Sequence, residues 1–451
     1  MPMQADGSSR TDDDALFRKI AWRIMPLLVL CYVVAYIDRV NISLAKAQMA
    51  SELHLSDTAF GVGAGIFFIG YLLCEVPSNL ILFRVGARTW IARIMVSWGV
   101  VAASLALVAP IAHLFGPHCE TAVFLALRFL LGAAEAGFFP GLILYANQWL
   151  PPDRQGRFFA VLMAAQPLSF VVGLPLSGWL LDGMNGVLGV SGWRWMVSLE
   201  ALPAIVLGFV VLFSLTDRPS EARFLSDGER QRVARALLHT EEKRADLPLR
   251  AVVRTPVLWA MMGYWFLVVA GVYGINFWLP TLVKRVAGGS NETVGLWSAI
   301  PYVGCAIGMV LFCTLAERTG RTLPVLVLST IAGGIGLIAG AGWGPGGIAP
   351  TLISMTLALT GSMTASALFW SQPGRILSGR AVAVATAAIN SVGNVGGFVG
   401  PSILGFVSDR FGSQTIGLGA LGGCLLAGSV VAALCFRKPA SRTVGGHATA
   451  S

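Results

Sequence analysis

Two pairs of acidic and basic residues interrupt long apolar stretches of the sequence. Asp38 and Arg39 are adjacent, near the end of an apolar run that begins at Ile24, and Arg128 and Glu135 lie seven residues apart in a second run. A charge at membrane depth is costly, so such residues usually face a protein interior or a water-filled cavity and serve function. An acid there can bind a proton, and the planar guanidinium of arginine suits bidentate capture of a carboxylate.

Helical spacing predicts where these side chains point. Arg128 and Glu135 are separated by almost two helical turns, which places them on one face about 10.5 Å apart. Gly132 lies between them on that face and leaves room for a ligand or a packed helix. Asp38 and Arg39 differ by about 100° around their helix, so one helix can direct its base towards a cavity and its acid towards a neighbour.

The four charges predict a mechanism. Asp38, Glu135, Arg39 and Arg128 together have no net charge, so an empty site can pair them internally. If protons neutralise both carboxylates, two positive charges are left to attract an organic anion. We therefore hypothesise proton-coupled anion symport. Glu135 is the better-placed proton site, because Asp38 follows Ile24 by about 20 Å of helix and lies past the membrane midplane.

Each pair also has a purely structural alternative. Asp38 and Arg39 could extend to the external interface of the membrane instead of facing a cavity. Arg128 and Glu135 could form an ion pair that only fastens helices together.

Further polar side chains fall inside the apolar segments and could contact a substrate. Tyr36 shares a helical face with Arg39. Amides at matching depth in both halves of the chain could hydrogen-bond substrate hydroxyls, and Trp370 could stack on a ring or wall a cavity. Packing between helices is the alternative for each of them. These candidates are Gln166, Trp370, Ser371, Gln372, Asn390 and Asn394, with Tyr273, Asn276 and Trp278 as weaker ones.

Composition indicates that membrane-spanning helices must position these residues. Of the 451 residues, 55% are hydrophobic and only 12% are charged, and the mean hydropathy is +0.72. A soluble chain carries roughly a quarter charged residues, so this composition excludes a soluble protein. Segments of about 20 apolar residues can cross a bilayer. The sequence predicts an all-α polytopic membrane protein with twelve such segments, at 22–44, 58–82, 90–111, 121–148, 157–181, 195–215, 257–282, 294–315, 323–342, 350–372, 382–408 and 414–436.

One long polar interruption, 216–254, divides the twelve segments into two six-helix bundles. The predicted domains are a cytoplasmic N-terminal segment (1–21), an N-terminal bundle (22–215), a cytoplasmic linker (216–256), a C-terminal bundle (257–436) and a cytoplasmic tail (437–451). The halves also look like distant copies, because Gly173, Gly178 and Asp182 in segment 5 match Gly400, Gly405 and Asp409 in segment 11. Such repeats are typical of secondary transporters, which bind substrate near the midplane where the repeats meet.

The net charge of +9 is explained by topology. With both termini in the cytoplasm, 25 of the 32 lysines and arginines fall on the cytoplasmic side, as the positive-inside rule expects. This distribution argues against nucleic acid as a partner and predicts a multi-pass protein of the cell inner membrane. No short apolar region with a cleavage site precedes Trp22, so we expect no cleaved signal peptide.

The seven cysteines show no C-x-x-C spacing, and most lie in apolar runs. They are typical of small core residues, so we expect no disulfide framework and no bound metal or cofactor. We expect a monomer in the lipid bilayer whose partners are a small organic anion and protons.

The central linker contains a helix-start signal. Ser226 and Glu229 match a Ser-x-x-Glu capping box and are followed by Val233, Leu237 and basic residues. The pattern predicts a short amphipathic helix along the cytoplasmic surface. The alternative, which we favour, is a solvated linker helix that merely joins the two halves.

Several motifs together resemble one family of transporters. They are Tyr36-Ile37-Asp38-Arg39-Val40-Asn41-Ile42, Phe67-Phe68-Ile69-Gly70-Tyr71 with Glu75-Val76-Pro77-Ser78-Asn79, Arg128 through Pro140-Gly141, Pro219-Ser220-Glu221-Ala222 and Gly274-Ile275-Asn276-Phe277-Trp278-Leu279-Pro280. On these residues the chain is similar to the major facilitator superfamily, and within it to the anion:cation symporter family of bacterial tartrate, phthalate, galactonate and hydroxyphenylacetate permeases. The resemblance implies a proton-coupled uptake carrier in which Asp38 and Glu135 bind protons. It also implies substrate contact by residues that match Tyr36, Arg39, Arg128, Gln166, Trp370 and Asn390.

One signature of the superfamily, glycine, three residues and then Asp-Arg-x-Gly-Arg, is incomplete after segment 2. Asn79 and Phe83 replace its glycine and aspartate, while Arg84, Gly86 and Arg88 remain. The copy after segment 8, Glu317-Arg318-Thr319-Gly320-Arg321, is closer to the signature. The resemblance implies that these loops serve the conformational gate, with more reliance on the second half.

The favoured interpretation is a carrier that imports a hydroxy di- or monocarboxylate, a sugar acid or an aromatic carboxylate with protons by alternating access. A proton-coupled exporter of drugs or metabolites with the same fold is the alternative, and the pairs of acid and arginine disfavour it. A membrane enzyme is disfavoured because the sequence has no Ser/His dyad, His-Glu zinc signature or paired intramembrane histidines. The organisation in two halves disfavours a channel or a receptor.

Overall fold

The computed structural model describes residues 6–238, 255–343, 346–373 and 380–436, and helices dominate these residues. The helices of the N-terminal half are α1 (Asp6–Val40), α2 (Ile42–Leu53), α3 (Asp57–Val85), α4 (Ala87–Ser104), α5 (Val108–Phe115), α6 (Glu120–Glu135), α7 (Phe138–Trp149), α8 (Pro152–Gly183) and α9 (Gly192–Ser214). The linker contains α10 (Asp227–Leu238). The C-terminal half has α11 (Pro256–Ala287), α12 (Asn291–Thr319), α13 (Thr322–Trp343), α14 (Ile348–Phe369), α15 (Arg380–Phe411) and α16 (Thr415–Cys435).

These helices form the predicted polytopic membrane fold, two bundles of six membrane segments each. Within the described ranges, eleven helical segments are long and apolar enough to cross a membrane. The 32-residue helix α15 covers the remaining predicted segment, 382–408. We call the side of the bundles that carries the linker the linker side. The far side is the opposite one, with the turn between α2 and α3.

The first membrane segment is longer than predicted. It continues through α1 and α2 to Leu53 instead of ending at residue 44. Lys46 and Glu52 lie beyond the predicted end of the segment, and both have protein partners: Lys46 Nζ lies 2.7 Å from a carboxylate oxygen of Asp57, and Glu52 accepts a hydrogen bond from Trp193 Nε1 at 2.6 Å. About 22 Å of helix therefore separates Asp38 from the far-side turn.

Close backbone contact replaces side-chain packing where α3 meets α6. A Cβ atom added to Gly132 would lie 1.8 Å from the Phe67 carbonyl oxygen, and one added to Gly70 would lie 2.1 Å from the Phe129 carbonyl oxygen. Gly132 therefore makes room for a packed helix and not for a ligand. Larger residues at either position would push apart two helices that carry the central charges.

The two bundles meet at the far side through a clamp at the end of α8. A Cβ atom on Gly178 would lie 2.5 Å from the Asn291 carbonyl oxygen, so the start of α12 rests directly on α8. One turn later, the Asp182 carboxylate accepts hydrogen bonds from the Asn291 side chain at 2.7 Å and from the Glu292 backbone N–H at 2.8 Å. Asp182 thus caps the N-terminus of a helix in the other bundle.

A matching clamp lies at the end of α15. A Cβ atom on Gly405 would lie 2.3 Å from the Asp57 carbonyl oxygen at the start of α3. The Asp409 carboxylate accepts hydrogen bonds from the backbone N–H groups of Asp57 and Thr58 at 3.0 and 2.7 Å. The glycine and aspartate spacing that suggested a repeat therefore has the same structural role in both bundles, and the far side is closed by both clamps.

The linker helix α10 is attached to the N-terminal bundle. Its capping box is formed in both directions, because Ser226 N–H donates to Glu229 at 2.8 Å and Glu229 N–H donates to Ser226 Oγ at 3.3 Å. Lys19 of α1 forms an ion pair with Glu229 at 2.9 Å, and Val233 is fully buried. The expectation of a solvated helix that merely joins the halves was therefore wrong, because α10 buries its apolar face.

Candidate functional site

The central ion pair joins Arg39 of α1 to Glu135 of α6. Arg39 Nη2 donates to a Glu135 carboxylate oxygen, and Arg39 Nη1 donates to Tyr273 Oη of α11 at 3.0 Å. The Glu135 side chain is only 1% exposed and that of Arg39 is 12% exposed. One guanidinium therefore contacts both the acid of its own bundle and a phenol of the other bundle.

A break in the fourth membrane segment sets the position of Glu135. The sequence predicts one continuous helix over 121–148, but α6 ends at Glu135 and Gly137 adopts a left-handed conformation with φ +89°. Ser78 Oγ donates to the Ala136 carbonyl at 2.6 Å and accepts from Trp90 Nε1 at 2.9 Å. A Cβ atom on Gly137 would lie 2.2 Å from Ser78 Oγ, so the turn requires glycine there.

Arg128 is fully buried and does not pair with Glu135. Its Nε donates to the Gly63 carbonyl at 3.0 Å and its Nη2 to the Ala64 carbonyl at 3.4 Å. Its Nη1 has no hydrogen-bond partner among the described residues. The alternative of a structural Arg128–Glu135 ion pair was therefore wrong, because Arg39 takes that partner.

The two arginines both lie close to one aromatic ring. The Cζ atom of Arg39 is 5.1 Å and that of Arg128 is 5.4 Å from the centroid of the Phe67 ring. Arg39 also lies 4.9 Å from the centroid of the Tyr36 ring. Tyr36, Arg39, Arg128 and Glu135, four of the candidate residues, thus lie close together in the structure.

Asp38 points away from Arg39, as the 100° offset predicted, and lies in a separate polar cluster. It is 2% exposed, and one of its oxygens accepts from Asn41 Nδ2 at 3.4 Å. The same amide donates to Glu200 of α9 at 2.9 Å, and Ser177 Oγ donates to the other Glu200 oxygen at 2.6 Å. Its burial contradicts the alternative in which Asp38 reaches the membrane interface. The hypothesis of one four-charge set also needs correction, since Asp38 is bonded to an amide and not to an arginine.

Asn390 and Asn394 contact an acid of the other bundle. Asn390 Nδ2 donates to Glu75 Oε1 at 3.0 Å, and Asn394 Nδ2 lies 3.5 Å from Glu75 Oε2. Glu75 is 8% exposed in the middle of α3. These amides are therefore not in hydrogen-bond contact with Arg39 or Arg128, although they do join the two bundles.

Sequence reasoning missed Glu75 and Glu200 as functional candidates. Each is a single carboxylate within a predicted apolar segment, which is itself a signal for function. Unlike Asp38 and Glu135, neither shares its predicted segment with a basic residue.

The remaining substrate candidates lie near aromatic walls or helix surfaces. Gln166 is half-buried on α8. Trp370 follows α14 and packs edge-on against Trp265 at a centroid distance of 4.9 Å and against Phe369 at 5.5 Å. Gln372 is buried, and its amide donates to Ser371 Oγ at 3.0 Å. Trp370 and Gln372 therefore take part in packing at the linker end of the C-terminal bundle.

The predicted gating residues lie on the linker side. The Arg88 backbone N–H donates to Asp217 at 2.8 Å. Gly86 has φ +94°, and a Cβ atom there would lie 3.0 Å from the Asp217 carboxylate, while Arg84 is exposed. In the second half, Gly320 ends α12 in a left-handed conformation, and its neighbours Glu317, Arg318 and Arg321 are exposed. Among the described residues, the hydrogen bonds between the bundles lie at the far side and at mid-depth, and no hydrogen bond of these loops crosses between the bundles.

Comparison with known proteins adds the following. The family model described as Major Facilitator Superfamily matches residues 28–401. A protein of Agrobacterium vitis named "Putative tartrate transporter" is 42% identical over 436 residues, covering 96% of this chain and 94% of that protein. A protein of Acinetobacter baumannii named "Quinolone resistance transporter" is 35% identical, covering 94% of this chain and 95% of that protein.

Among solved structures, the inward open conformation of the xylose transporter XylE from E. coli superposes with a TM-score of 0.72. It covers 93% of this chain and 97% of that one at 14% sequence identity, so the likeness concerns the fold alone.

Proposed function

Because the chain belongs to the major facilitator superfamily and is a multi-pass secondary transporter, we propose that it imports a small organic anion together with protons by alternating access. The observation that carries this proposal is the contact of Arg39 with both Glu135 and Tyr273. It joins a buried acid, an anion-binding base and the opposite bundle at one point.

The contact suggests how proton binding and anion binding are coupled. With Glu135 ionised, the positive charge of Arg39 is compensated internally. A proton on Glu135 removes that partner, and Arg39 then attracts a carboxylate together with the free N–H of Arg128. The charged groups near Glu135 are Arg39, Arg128 and Asp38, and the hydroxyls of Tyr71 and Tyr273 also face it, so the net charge of this set becomes positive when Glu135 is protonated.

We propose a hydroxy dicarboxylate such as tartrate as the substrate class. Arg39 and Arg128 both lie close to the Phe67 ring and provide two positive charges, which suits a dianion. The name of the Agrobacterium vitis relative supports the same class. Tyr36, Gln166, Trp370, Asn390 and Asn394 are the proposed contacts for substrate hydroxyls or the apolar part of a substrate.

We place both termini and the linker side in the cytoplasm of a bacterial inner membrane, from the distribution of lysine and arginine. With that orientation the closed far side is external and the present conformation faces inward. Fusions of an enzyme that is active only outside the cytoplasm, placed after residues 54 and 116, should be active, whereas one placed at residue 220 should be silent.

The test of symport uses the purified protein in proteoliposomes with labelled tartrate and an imposed pH gradient. We expect accumulation in the wild type. Glu135→Gln should lose accumulation and pH dependence but retain exchange of internal for external tartrate, because only the proton step is removed. Glu120→Gln, on the same helix near the far side, is the matched control and should behave as wild type. Unchanged pH-dependent accumulation in Glu135→Gln would refute the proposal.

A second candidate, proton-coupled export of a drug or metabolite, is favoured by the Acinetobacter baumannii relative. It predicts proton-driven exit of apolar or cationic compounds and no stabilisation by organic acids. A thermal-shift screen of the purified protein against tartrate, sugar acids, aromatic acids and quinolones separates the two, because a ligand of the folded state raises its stability by mass action.

A further inference from the structure

A cavity lies at the far side. Its wall includes Lys46, which follows Arg39 by about 10 Å of helix. The cavity measures about 370 Å³ and opens at the seam between the bundles. The N-terminal bundle contributes α2 and the first residue of α3, and the C-terminal bundle contributes the end of α11 and the starts of α12 and α16. A cavity of this size can hold a small organic molecule.

Positive charge dominates the wall of this far-side cavity. Its charged residues are three cations, Lys46, Lys284 and Arg285, and one acid, Asp57. Lys46 is paired with Asp57 at 2.7 Å and lies 3.7 Å from the centroid of the Trp278 ring, so its charge is compensated. The other two cations are therefore in excess.

The two cations in excess come from adjacent positions in the last turn of α11. Lys284 Nζ donates to the Gly289 carbonyl at 2.6 Å, which is a neutral partner. Arg285 is exposed, and its guanidinium forms no ion pair within the described residues. Two uncompensated positive charges thus face the seam between the bundles.

Gln414 provides an independent indication of a ligand. It lines the same cavity, is only 1% exposed, and neither its Oε1 nor its Nε2 has a hydrogen-bond partner among the described residues. A buried amide whose donor and acceptor have no partners is destabilising, because both groups lose their hydrogen bonds to water. A bound molecule with an acceptor and a donor, such as a hydroxy acid, would satisfy both ends of this side chain.

We propose that the far-side cavity is a second anion site, which binds a small carboxylate between the two bundles. Lys284, Arg285 and Gln414 of the C-terminal bundle supply charge and hydrogen bonds, and the side of α2 that carries Lys46 forms the opposite wall. The walls separate when the far side opens, so the anion binds the closed form and holds it closed. A high external concentration of anion then slows uptake, a consequence that depends on the proposed import function, whereas the binding itself does not.

The binding test removes the central site first. In the Arg39→Gln/Arg128→Gln background, titration calorimetry with tartrate should still detect one site on the purified protein in phosphatidylcholine nanodiscs. Adding Lys284→Gln and Arg285→Gln should weaken that binding at least tenfold, and adding Gln414→Leu should weaken it several-fold. Arg410→Gln, an exposed far-side cation outside the cavity, is the matched control and should leave binding unchanged.

Two results would overturn the proposal. One is the absence of tartrate binding in the Arg39→Gln/Arg128→Gln background with normal thermal unfolding. The other is binding that persists after the Lys284→Gln/Arg285→Gln changes. A third arm uses nanodiscs that contain phosphatidylglycerol: displacement of tartrate by that lipid would assign the cavity to a lipid headgroup instead of a soluble carboxylate. Each of these outcomes can be read whether or not the protein transports tartrate.

Discussion

The two bundles share a fold but differ in where they bury charge. Within the described residues, the buried ionisable acids and bases all belong to the N-terminal bundle, namely Asp38, Lys46, Glu75, Arg128, Glu135 and Glu200. The buried polar residues of the C-terminal bundle are neutral amides and hydroxyls, among them Asn276, Ser298, Ser329, Thr330, Thr351, Ser354, Ser362, Thr364, Gln372, Gln414 and Ser429. Buried charge thus lies on one side of the seam.

This difference suits an interface that must open in every transport cycle. At mid-depth, charged groups of the N-terminal bundle meet neutral groups of the other bundle, as Arg39 meets Tyr273 and Glu75 meets Asn390. A hydrogen bond to a charged group contributes about 1.5–3 kcal/mol, whereas separating a buried ion pair costs about 3–5 kcal/mol. The ion pair Arg39–Glu135 stays within one bundle, so the rocking motion need not break it.

Removing the central base should have the largest effect. Arg39→Gln leaves Glu135 buried without its ion-pair partner, which costs about 2–5 kcal/mol, and removes an anion contact. We expect uptake in proteoliposomes to fall by about 100-fold or more. Arg39→Lys keeps the charge but loses the fork that reaches Glu135 and Tyr273 together, so its activity should be intermediate. Equal activity of the two variants would show that the two-sided contact is unimportant.

Placing a charge in the neutral bundle should break the division directly. Asn390→Asp sets a second carboxylate about 3 Å from Glu75, and two like charges at that distance cannot both stay ionised. The groups facing Glu75 are Asn390, Asn394 and, one turn away, Tyr71, so no cation offsets the repulsion. We expect about a tenfold loss of uptake at high pH that is partly restored at low pH. Asn390→Ala removes only the hydrogen bond, and its defect should not vary with pH.

The second acid cluster should give an effect of similar size. Asp38 and Glu200 both accept from the Asn41 amide, so we expect their protonation to be coupled. Among the described residues, no cation lies in hydrogen-bond contact with either acid. The charged groups near Asp38 are Glu200, Glu135 and Arg128. Asp38→Asn and Glu200→Gln should each shift the pH profile of uptake, with about a tenfold change in rate at neutral pH. The double variant should be no worse than the more severe single one, because coupled residues are not additive. Additive losses would show two independent sites.

Local geometry could be predicted from the sequence, whereas pairing between helices could not. The 100° offset between Asp38 and Arg39 follows from the helix itself, and the structure confirms it. The partner of Glu135 depends on the break at Gly137 and on the packing of α3 against Gly132. Nothing in the spacing of Arg128 and Glu135 contains that information, so the alternative of an ion pair between them could not be excluded from the sequence.

The end of the first membrane segment also could not be predicted from local spacing. The first segment was predicted to end at residue 44, before Lys46 and Glu52, because the partners of these two residues, Asp57 and Trp193, lie on other elements. In contrast, the glycine and aspartate repeat of segments 5 and 11 was readable because each motif carries its own spacing. The structure gives that spacing a shared role in closing the far side.

The far-side clamps test where the bundles are equivalent. Asp182→Asn and Asp409→Asn each replace a capping carboxylate that accepts two hydrogen bonds, at a cost of about 0.5–2 kcal/mol. Each should raise the labelling rate of a cysteine at position 44, in a cysteine-free background, by about fivefold. The double variant should show the product of the two effects. Unequal single effects would show that the difference between the bundles extends to the gate.

The smallest expected effect concerns the attachment of the linker helix to the N-terminal bundle. The Ser226 backbone N–H, with Lys19 as the second cause, holds the pKa of the Glu229 carboxylate below its usual range. A depressed pKa in the folded state means that the ionised form stabilises α10 above the unfolded pKa, and that this contribution is lost as pH falls through the folded value. Glu229→Gln should therefore lower the unfolding temperature at neutral pH by about 1 °C or less, because the pair is exposed, and should have no effect at low pH. Asp227→Asn, which changes a more exposed carboxylate two residues earlier in the same helix, is the control. An equal loss at both pH values would assign the contribution of Glu229 to packing and not to its charge.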